Sequence, residues 1–487
     1  MADQFGVKPR LLALAIAALV AIAAVSAFRL TRPVARQVVV TRRLLTKLPE
    51  SARKNTIAVG DDGSDFAYVN RVGNKQQVIR TGAPGPFYDD LSPPLLARGT
   101  HKLFYWAVDH SSTPSSLVLA VDGDRIETGL TRMAQIVLSR NGARWALAGR
   151  IPEVKVGDRV EPGGVVVFVD GKLVGRHRDA TTPAFSVDGR HVAYIARADD
   201  GHFTLFVDGQ STRTFEEPGV TSAPVDPAPG LPQFRVLYLS DGSLLMLTRD
   251  RDGWVLYRDE HKLGSFGNSI GRGQTVVNFS GEAAGGGSIL ADSITAAEDA
   301  PSVSWWEQMG GPSDLGWRVM RDGKALEANC ALSWESAPPL FSRDGQHLGY
   351  PCWLTPPGPT PGVIRVVADH RSYGPYGNVW GMAFADDGRQ LAYAAATASQ
   401  AKESWSYYID GKSFSIKYDE VWRPRFSPDG AHLAWEAKRA KRSILVLDGD
   451  SLYSYDDVLW GPEFQFANHV SWVVRRGPRL VRVDAAY

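Results

Sequence analysis

FSPDGAHLAW, residues Phe426–Trp435, decides the fold of this 487-residue chain, because the chain writes the phrase four times. The other copies are FSVDGRHVAY from Phe185, FSRDGQHLGY from Phe341 and FADDGRQLAY from Phe384. Each reads as a short apolar strand, an Asp-Gly turn and a second strand, the strongest local signal for a β-hairpin. A lone hairpin cannot bury its apolar face, so the copies must stack on one another.

A second phrase recurs between them: LAVDGD ending at Asp124, VFVDGK at Lys172, LFVDGQ at Gln210, YYIDGK at Lys412 and LVLDGD at Asp450. It is another strand entering another Asp-Gly turn. Each unit therefore carries two hairpins and four strands, a to d, and four-stranded units at roughly 40-residue spacing are the signature of β-propeller blades. Worn copies at Leu138 (LSRNG), Tyr238 (YLSDG) and Val59 (VGDDG) bring the count to nine or ten units between about Thr56 and Tyr487. The expected fold is an all-β propeller of eight to ten four-stranded antiparallel repeats in a single ring, with two smaller rings as the alternative. The last unit, Phe464 to Asp484, shows strands a, b and c only, and the run Gln37 to Val40 could supply its fourth. An open sheet edge would otherwise invite aggregation.

Composition agrees with an all-β reading. The 48 glycines and 30 prolines suit a chain with many turns, and 44% hydrophobic residues suffice for a large core. A formal net charge of +1 gives no electrostatic footprint for nucleic acid. The first residues differ in kind. Lys8 and Arg10 precede an uncharged apolar run, Leu11 to Phe28, which reads as one hydrophobic helix, either an export signal or a minimal membrane span. The domain plan is thus a signal peptide or anchor at 1–36, a linker at 37–55 that could supply the closing strand, and the propeller at 56–487. Export is the expected route, leaving the propeller periplasmic or anchored to the cytoplasmic membrane. Arg29, Arg32, Arg36, Arg42 and Arg43 beyond the apolar run argue against simple export. Cys330 and Cys352 fit one disulfide in an oxidising compartment, or equally two buried thiols.

The repeat resembles the TolB-type β-propeller repeat, related to the WD repeat, whose hallmark is F-S-P-D-G-x-x-[LIV]-A-[FWY]. Phe426 to Trp435 matches it throughout, and Phe185 to Tyr194 matches all but the proline. The resemblance covers roughly residues 56 to 487 and implies fold. Blades of this type occur in periplasmic Tol proteins, in regulatory domains of prolyl oligopeptidase-type peptidases and in some polysaccharide lyases, so function must come from the site.

In a four-stranded meander the a–b and c–d turns fall on one face of the disc, and the b–c and d–a connections on the other. The tight Asp-Gly turns belong to the first face. The extra residues belong to the second: Pro152 to Gly164, roughly Ser293 to Gly316, Leu354 to Gly362, Thr397 to Ser404 and Pro218 to Gln233. Insertions gathered on one face mark it as the binding face. There the exit of strand d repeats an acidic phrase: Asp89 and Asp90 after Tyr88, Glu216 and Glu217 after Phe215, Asp419 and Glu420 after Tyr418, Asp456 and Asp457 after Tyr455. Four carboxylate pairs at one channel mouth would attract a cation or a basic peptide. The competing reading makes them turn caps, with the preceding ring packed between blades. Trp305 and Trp306, read as lying in the longest insertion, are either an exposed anchor for a partner or pins that hold their loop to the disc.

Catalytic signals are few. Gly267-Asn268-Ser269-Ile270-Gly271 has the spacing of a nucleophile elbow, but the next segment reads as a strand where that motif requires a helix. No H-E-x-x-H, C-x-x-C, Walker or G-x-G-x-x-G arrangement occurs, so no catalytic residue, metal or cofactor is assigned. The function expected is a non-catalytic envelope scaffold that binds a protein, a peptide or another ligand. The alternatives are an envelope glycan lyase or hydrolase using channel-mouth carboxylates, and a regulatory propeller serving a separate peptidase. A lone carboxylate or His buried in the channel beside a Tyr or Arg would favour the enzyme, and a solvated acidic rim the scaffold.

Overall fold

The computed structural model describes residues 38–487 apart from 111–115, 157–158, 198–200, 216–234, 251–252, 267–268, 273–274, 279–288, 291–292, 309–315, 327–329, 332–337, 356–362, 397–403 and 415. The described residues build an all-β propeller of ten four-stranded antiparallel blades in chain order. The expected N-terminal helix and the 1–36 boundary lie outside them.

Blade nine shows how the two phrases work. Its strands are Glu420–Phe426, Leu433–Arg439, Arg442–Leu447 and Asp450–Tyr455. The two Asp-Gly pairs fold differently. Between strands c and d, Asp448 (φ 51°) and Gly449 (φ 91°) both take left-handed backbone, the two-residue turn that matches strand twist. Between strands a and b the loop is longer: the Gly430 N–H and the Ser427 N–H bond to Ser427 O and His432 O, and Asp429 accepts from the Ser427 hydroxyl at 2.5 Å. The two turns are then tied together. Asp448 accepts the Leu433 N–H at 2.9 Å, which starts strand b, and meets His432 Nδ1 at 2.7 Å. The same His–Asp and N–H–Asp clamp recurs at His191 with Asp208 and His347 with Asp369. The repeated letters are therefore a polar clamp that stiffens the tight-turn face, and they serve the fold.

Neighbouring blades approach most closely through strands a, as innermost strands must. Strand a of blade eight, Asn378–Phe384, packs beside that of blade nine, which packs beside Asp457–Phe466 of blade ten. Cores form between blades: Trp405, Tyr407, Val421 and Trp435 share one, and Tyr376, Tyr393 and Tyr408 line the next.

The ring closes on its own ends. Blade ten takes its outermost strand from Val39–Lys47, antiparallel to Arg479–Ala486, a longer strand than the Gln37–Val40 run proposed for the role. Blade ten then packs on blade one: Phe66 and Tyr68 share a core with Val473 and Leu480, and the Arg482 guanidinium donates to Asp62 O. Gly63 (φ 66°) lies under the Trp460 ring, where an added Cβ would approach to 2.8 Å.

Blades six and seven are stitched into one twelve-stranded sheet. The strand Cys330–Ala331 pairs with Gly316–Arg321 on one side and Leu348–Thr355 on the other, and Cys330 is disulfide-bonded to Cys352. The same sheet runs beyond the a position of blade six: Ile289–Leu290 pairs in parallel with Ser269–Arg272, which forms a hairpin with Thr275–Asn278 and carries the sheet two strands towards the axis. Ser269 to Gly271 of the Gly-x-Ser-x-Gly segment therefore sit on a strand whose next described element is another strand, whereas a hydrolase elbow leads into a helix. Of the expected insertions, the one in blade three is a hairpin, Val154–Val156 with Arg159–Glu161. Those at 218–233, 356–362 and 397–403 lie outside the described residues.

Candidate functional site

The carboxylate pairs sit at the seams between blades, and each described one is engaged. Asp89 accepts from Lys75 Nζ at 2.7 Å and from the His110 N–H of the next blade at 2.8 Å. Asp419 accepts the Ala440 N–H of the blade nine b–c turn at 2.8 Å, and Asp456 accepts the Gly477 N–H of the blade ten b–c turn at 2.5 Å. The backbone repeats the link, since the N–H groups of Asp89, Asp419 and Asp456 bond to Val108 O, Lys438 O and Arg475 O. The first acid of each pair is thus a cap reaching into the next blade. The Gly477 N–H, with Arg442 and Arg475 beside it, holds the Asp456 carboxyl below its ordinary range. The second acids meet cations more loosely: Asp90 lies 3.8 Å from Arg53, Glu420 3.7 Å from Lys438 and Asp457 4.0 Å from Arg475. Glu216 and Glu217 lie outside the described residues.

Trp305 and Trp306 require a correction. They belong to a central strand, Val303–Gln308, and both are 0% exposed. Trp305 packs edge-on to Phe266 and Trp306 edge-on to Tyr350. A buried indole offers no surface to a partner, so the anchor reading fails. The a–b turn of blade six is Ala297 to Ser302, closed by the same N–H to O bond as its siblings but lacking Asp-Gly, which hid the register. The signal was Val303-Ser304-Trp305, which matches Val470-Ser471-Trp472 on strand b of blade ten.

The inner strands of blades eight to ten carry partly exposed aromatic and basic side chains. Each of these strands bulges at one level, where its pairing shifts after Trp380, Trp422 and Trp460. The residue after each tryptophan is left-handed: Gly381 (φ 58°), Arg423 (φ 53°) and Gly461 (φ 89°). Trp380 is 38% exposed, with its ring centroid 5.3 Å from Trp405 and 6.2 Å from Trp422. Lys438 Nζ stands 4.8 Å over the Trp422 ring. Arg423 is half-exposed; its Nη1 donates to Val458 O at 3.3 Å and lies 3.8 Å from Glu436 Oε2. Glu436 is buried on strand b and accepts from the Ser443 hydroxyl at 3.0 Å. Burial pushes its carboxyl up. The Tyr407 hydroxyl is fully buried and finds no hydrogen-bond partner among the described residues. It lies against Gly381, where an added Cβ would sit 3.2 Å from it. Aromatic faces and a guanidinium can hold a ring-bearing anion, with the buried Glu436 carboxylate offsetting part of the Arg423 charge, and the sequence reading missed all of them. Aligning Trp422-Arg423-Pro424 with Trp460-Gly461-Pro462 would have singled out Arg423.

At the tight-turn end, charges span the channel. Arg140 of blade three meets Glu298 and Asp299 of blade six, and Arg343 of blade seven donates to Asp299 at 2.6 Å. Arg98 of blade two lies 3.8 Å from Glu463 of blade ten. No group of three metal-ligating side chains occurs among the described residues.

No family model matches this chain, and no curated protein matches it. Among solved structures it is similar to a eukaryotic initiation factor at 11% identity, over 85% of this chain and 91% of that one, with a TM-score of 0.43. A putative dipeptidyl aminopeptidase IV from Bacteroides ovatus is similar at 14% identity and a TM-score of 0.35, over 69% of this chain, which spans 56% of that one. TolB from Acinetobacter baumannii is similar at 12% identity and a TM-score of 0.24, over 79% of this chain and 76% of that one. The likeness is distant and is one of β-propeller fold.

Proposed function

We propose that this propeller is a non-catalytic scaffold that binds its ligand on the channel wall, entered from the face bearing the b–c and d–a connections. The observation that carries the reading is the charge bridge from Arg140 to Glu298 and Asp299, which links turns of blades three and six on the opposite face. The half-exposed Trp380 and Arg423 on the inner strands supply the contact surface. The seam carboxylates hold neighbouring blades together, so the binding role moves from them to the wall. The Cys330–Cys352 disulfide supports an oxidising compartment, as export would provide.

The test uses the full chain, immobilised and incubated with an envelope extract. Whatever wild type retains should be lost with Trp380→Ala and kept when the exposed acids are neutralised by Asp90→Asn with Glu420→Gln. The reverse pattern would return binding to the acidic rim.

A second reading has its own observation. Glu436 is a buried carboxylate beside Arg423 with a raised proton affinity, as a general acid in glycan cleavage would need. Under that reading Glu436→Gln keeps binding and abolishes turnover. Under the scaffold reading wild type itself leaves the bound ligand uncleaved.

A further inference from the structure

The backbone of Arg423 is an outlier in its own repeat. Blades eight and ten place glycine at the same left-handed bulge position, where a side chain is strained. Blade nine places an arginine there, directly before Pro424, which further disfavours such backbone. Strain of this kind costs on the order of 1–3 kcal/mol and persists where the surroundings enforce it, often at binding sites. Glu436 accounts for only part of the guanidinium, because at 3.8 Å the pair is loose and Arg423 stays half-exposed. Two residues on, Arg425 is exposed on the same inner strand and has no acidic partner among the described residues. The acids along this stretch of wall have cations of their own beside them, Glu420 with Lys438 at 3.7 Å and Glu463 with Arg98 at 3.8 Å, contacts as loose as that of Arg423 with Glu436.

Resting on the scaffold reading above, we propose that Arg423, Arg425 and Trp380 form a subsite for a carboxylate-bearing sugar. The guanidinium groups would take the carboxylate in paired hydrogen bonds, while the exposed indole receives the flat apolar face of the ring. An acidic peptide is the less suitable occupant. An extended peptide would need a continuous row of N–H and C=O groups along an inner strand edge, and the bulges at Gly381, Arg423 and Gly461 interrupt that row on three successive blades.

The test titrates full-length protein with oligogalacturonate, a neutral glucose oligomer and polyglutamate, read by calorimetry. Oligogalacturonate should bind more than tenfold tighter than the neutral oligomer. Trp380→Ala and Arg425→Ala should each weaken it severalfold. The decisive variant is Arg423→Gly with Glu436→Gln, which restores the backbone of the sibling blades and removes the carboxylate left behind. It should match or exceed the wild-type thermal midpoint, because glycine relieves the left-handed strain, and weaken oligogalacturonate at least tenfold. The proposal is overturned if oligogalacturonate does not bind, if the double variant binds it unchanged, or if polyglutamate binds equally and independently of Trp380. Loss of the extract ligand in Trp380→Ala without any oligogalacturonate binding would sink this inference and leave the scaffold reading standing.

Discussion

Arg140 Nη1 lies 3.3 Å from Asp299 Oδ1, although two whole blades separate their turns in the ring. Both residues sit on a–b turns at the ends of innermost strands, so the contact crosses the channel. The side chains are 42% and 44% exposed, which makes the pair sensitive to salt. Arg140→Glu should leave the thermal midpoint nearly unchanged but widen the ring at low ionic strength, with a larger radius of gyration by X-ray scattering. The difference should shrink in about 1 M salt, where screening acts within roughly 3 Å. Identical scattering at low salt would show that the bridge does not shape the channel.

The disulfide gives a second test. Cys330 and Cys352 close a loop over a sequence separation of 22, and both are buried where blades six and seven join. A cross-link of that span stabilises by about 2–4 kcal/mol. Cys330→Ala with Cys352→Ala should lower the denaturation midpoint correspondingly, and unfolding followed by trapping of free thiols should label no cysteine in the wild type unless reductant is added.

Asp456 tests the seams. Its carboxylate caps the b–c turn of blade ten through the Gly477 N–H and pairs with Arg442 and Arg475. Hydrogen bonds to a charged group are each worth about 1.5–3 kcal/mol, so Asp456→Ala should destabilise on that scale. Because the folded carboxyl titrates below its ordinary value, its contribution is present at neutral pH and is lost as pH falls through that lowered value. Midpoints of wild type and variant should therefore converge in strong acid.

Glu436 has the opposite sign. Burial raises its folded-state pKa, so relative to the unfolded chain the site favours folding below the ordinary glutamate value and loses that advantage as pH rises through the raised one. Stability of wild type relative to Glu436→Gln should fall as pH rises from 4 towards neutrality. A flat difference across that range would mean that Arg423 and Ser443 already compensate the charge.

What could be read in the letters was whatever repeats locally. Asp-Gly pairs gave the hairpins and their two faces, because turn chemistry is decided within a few residues. Blade six escaped because its a–b turn, Ala297 to Ser302, uses none of that chemistry, and without it Trp305 and Trp306 looked like loop residues. The acidic phrases were legible as a pattern, but their partners, the N–H groups of Ala440 and Gly477, lie in the following blade, and no local pattern names a partner 21 residues away. The outermost strand of blade ten was visible only as far as Val40, since Arg42 and Arg43 blur its alternation, yet it runs to Lys47.

The pairing of Val39 with Ala486 has a mechanical consequence. In this antiparallel arrangement the outer ends of the first and last strands emerge side by side, so a load pulling those ends apart would break their hydrogen bonds one after another, like a zip. A ring sewn in this way resists thermal fraying, since either strand must leave a paired sheet, yet it would yield to modest traction at that one seam.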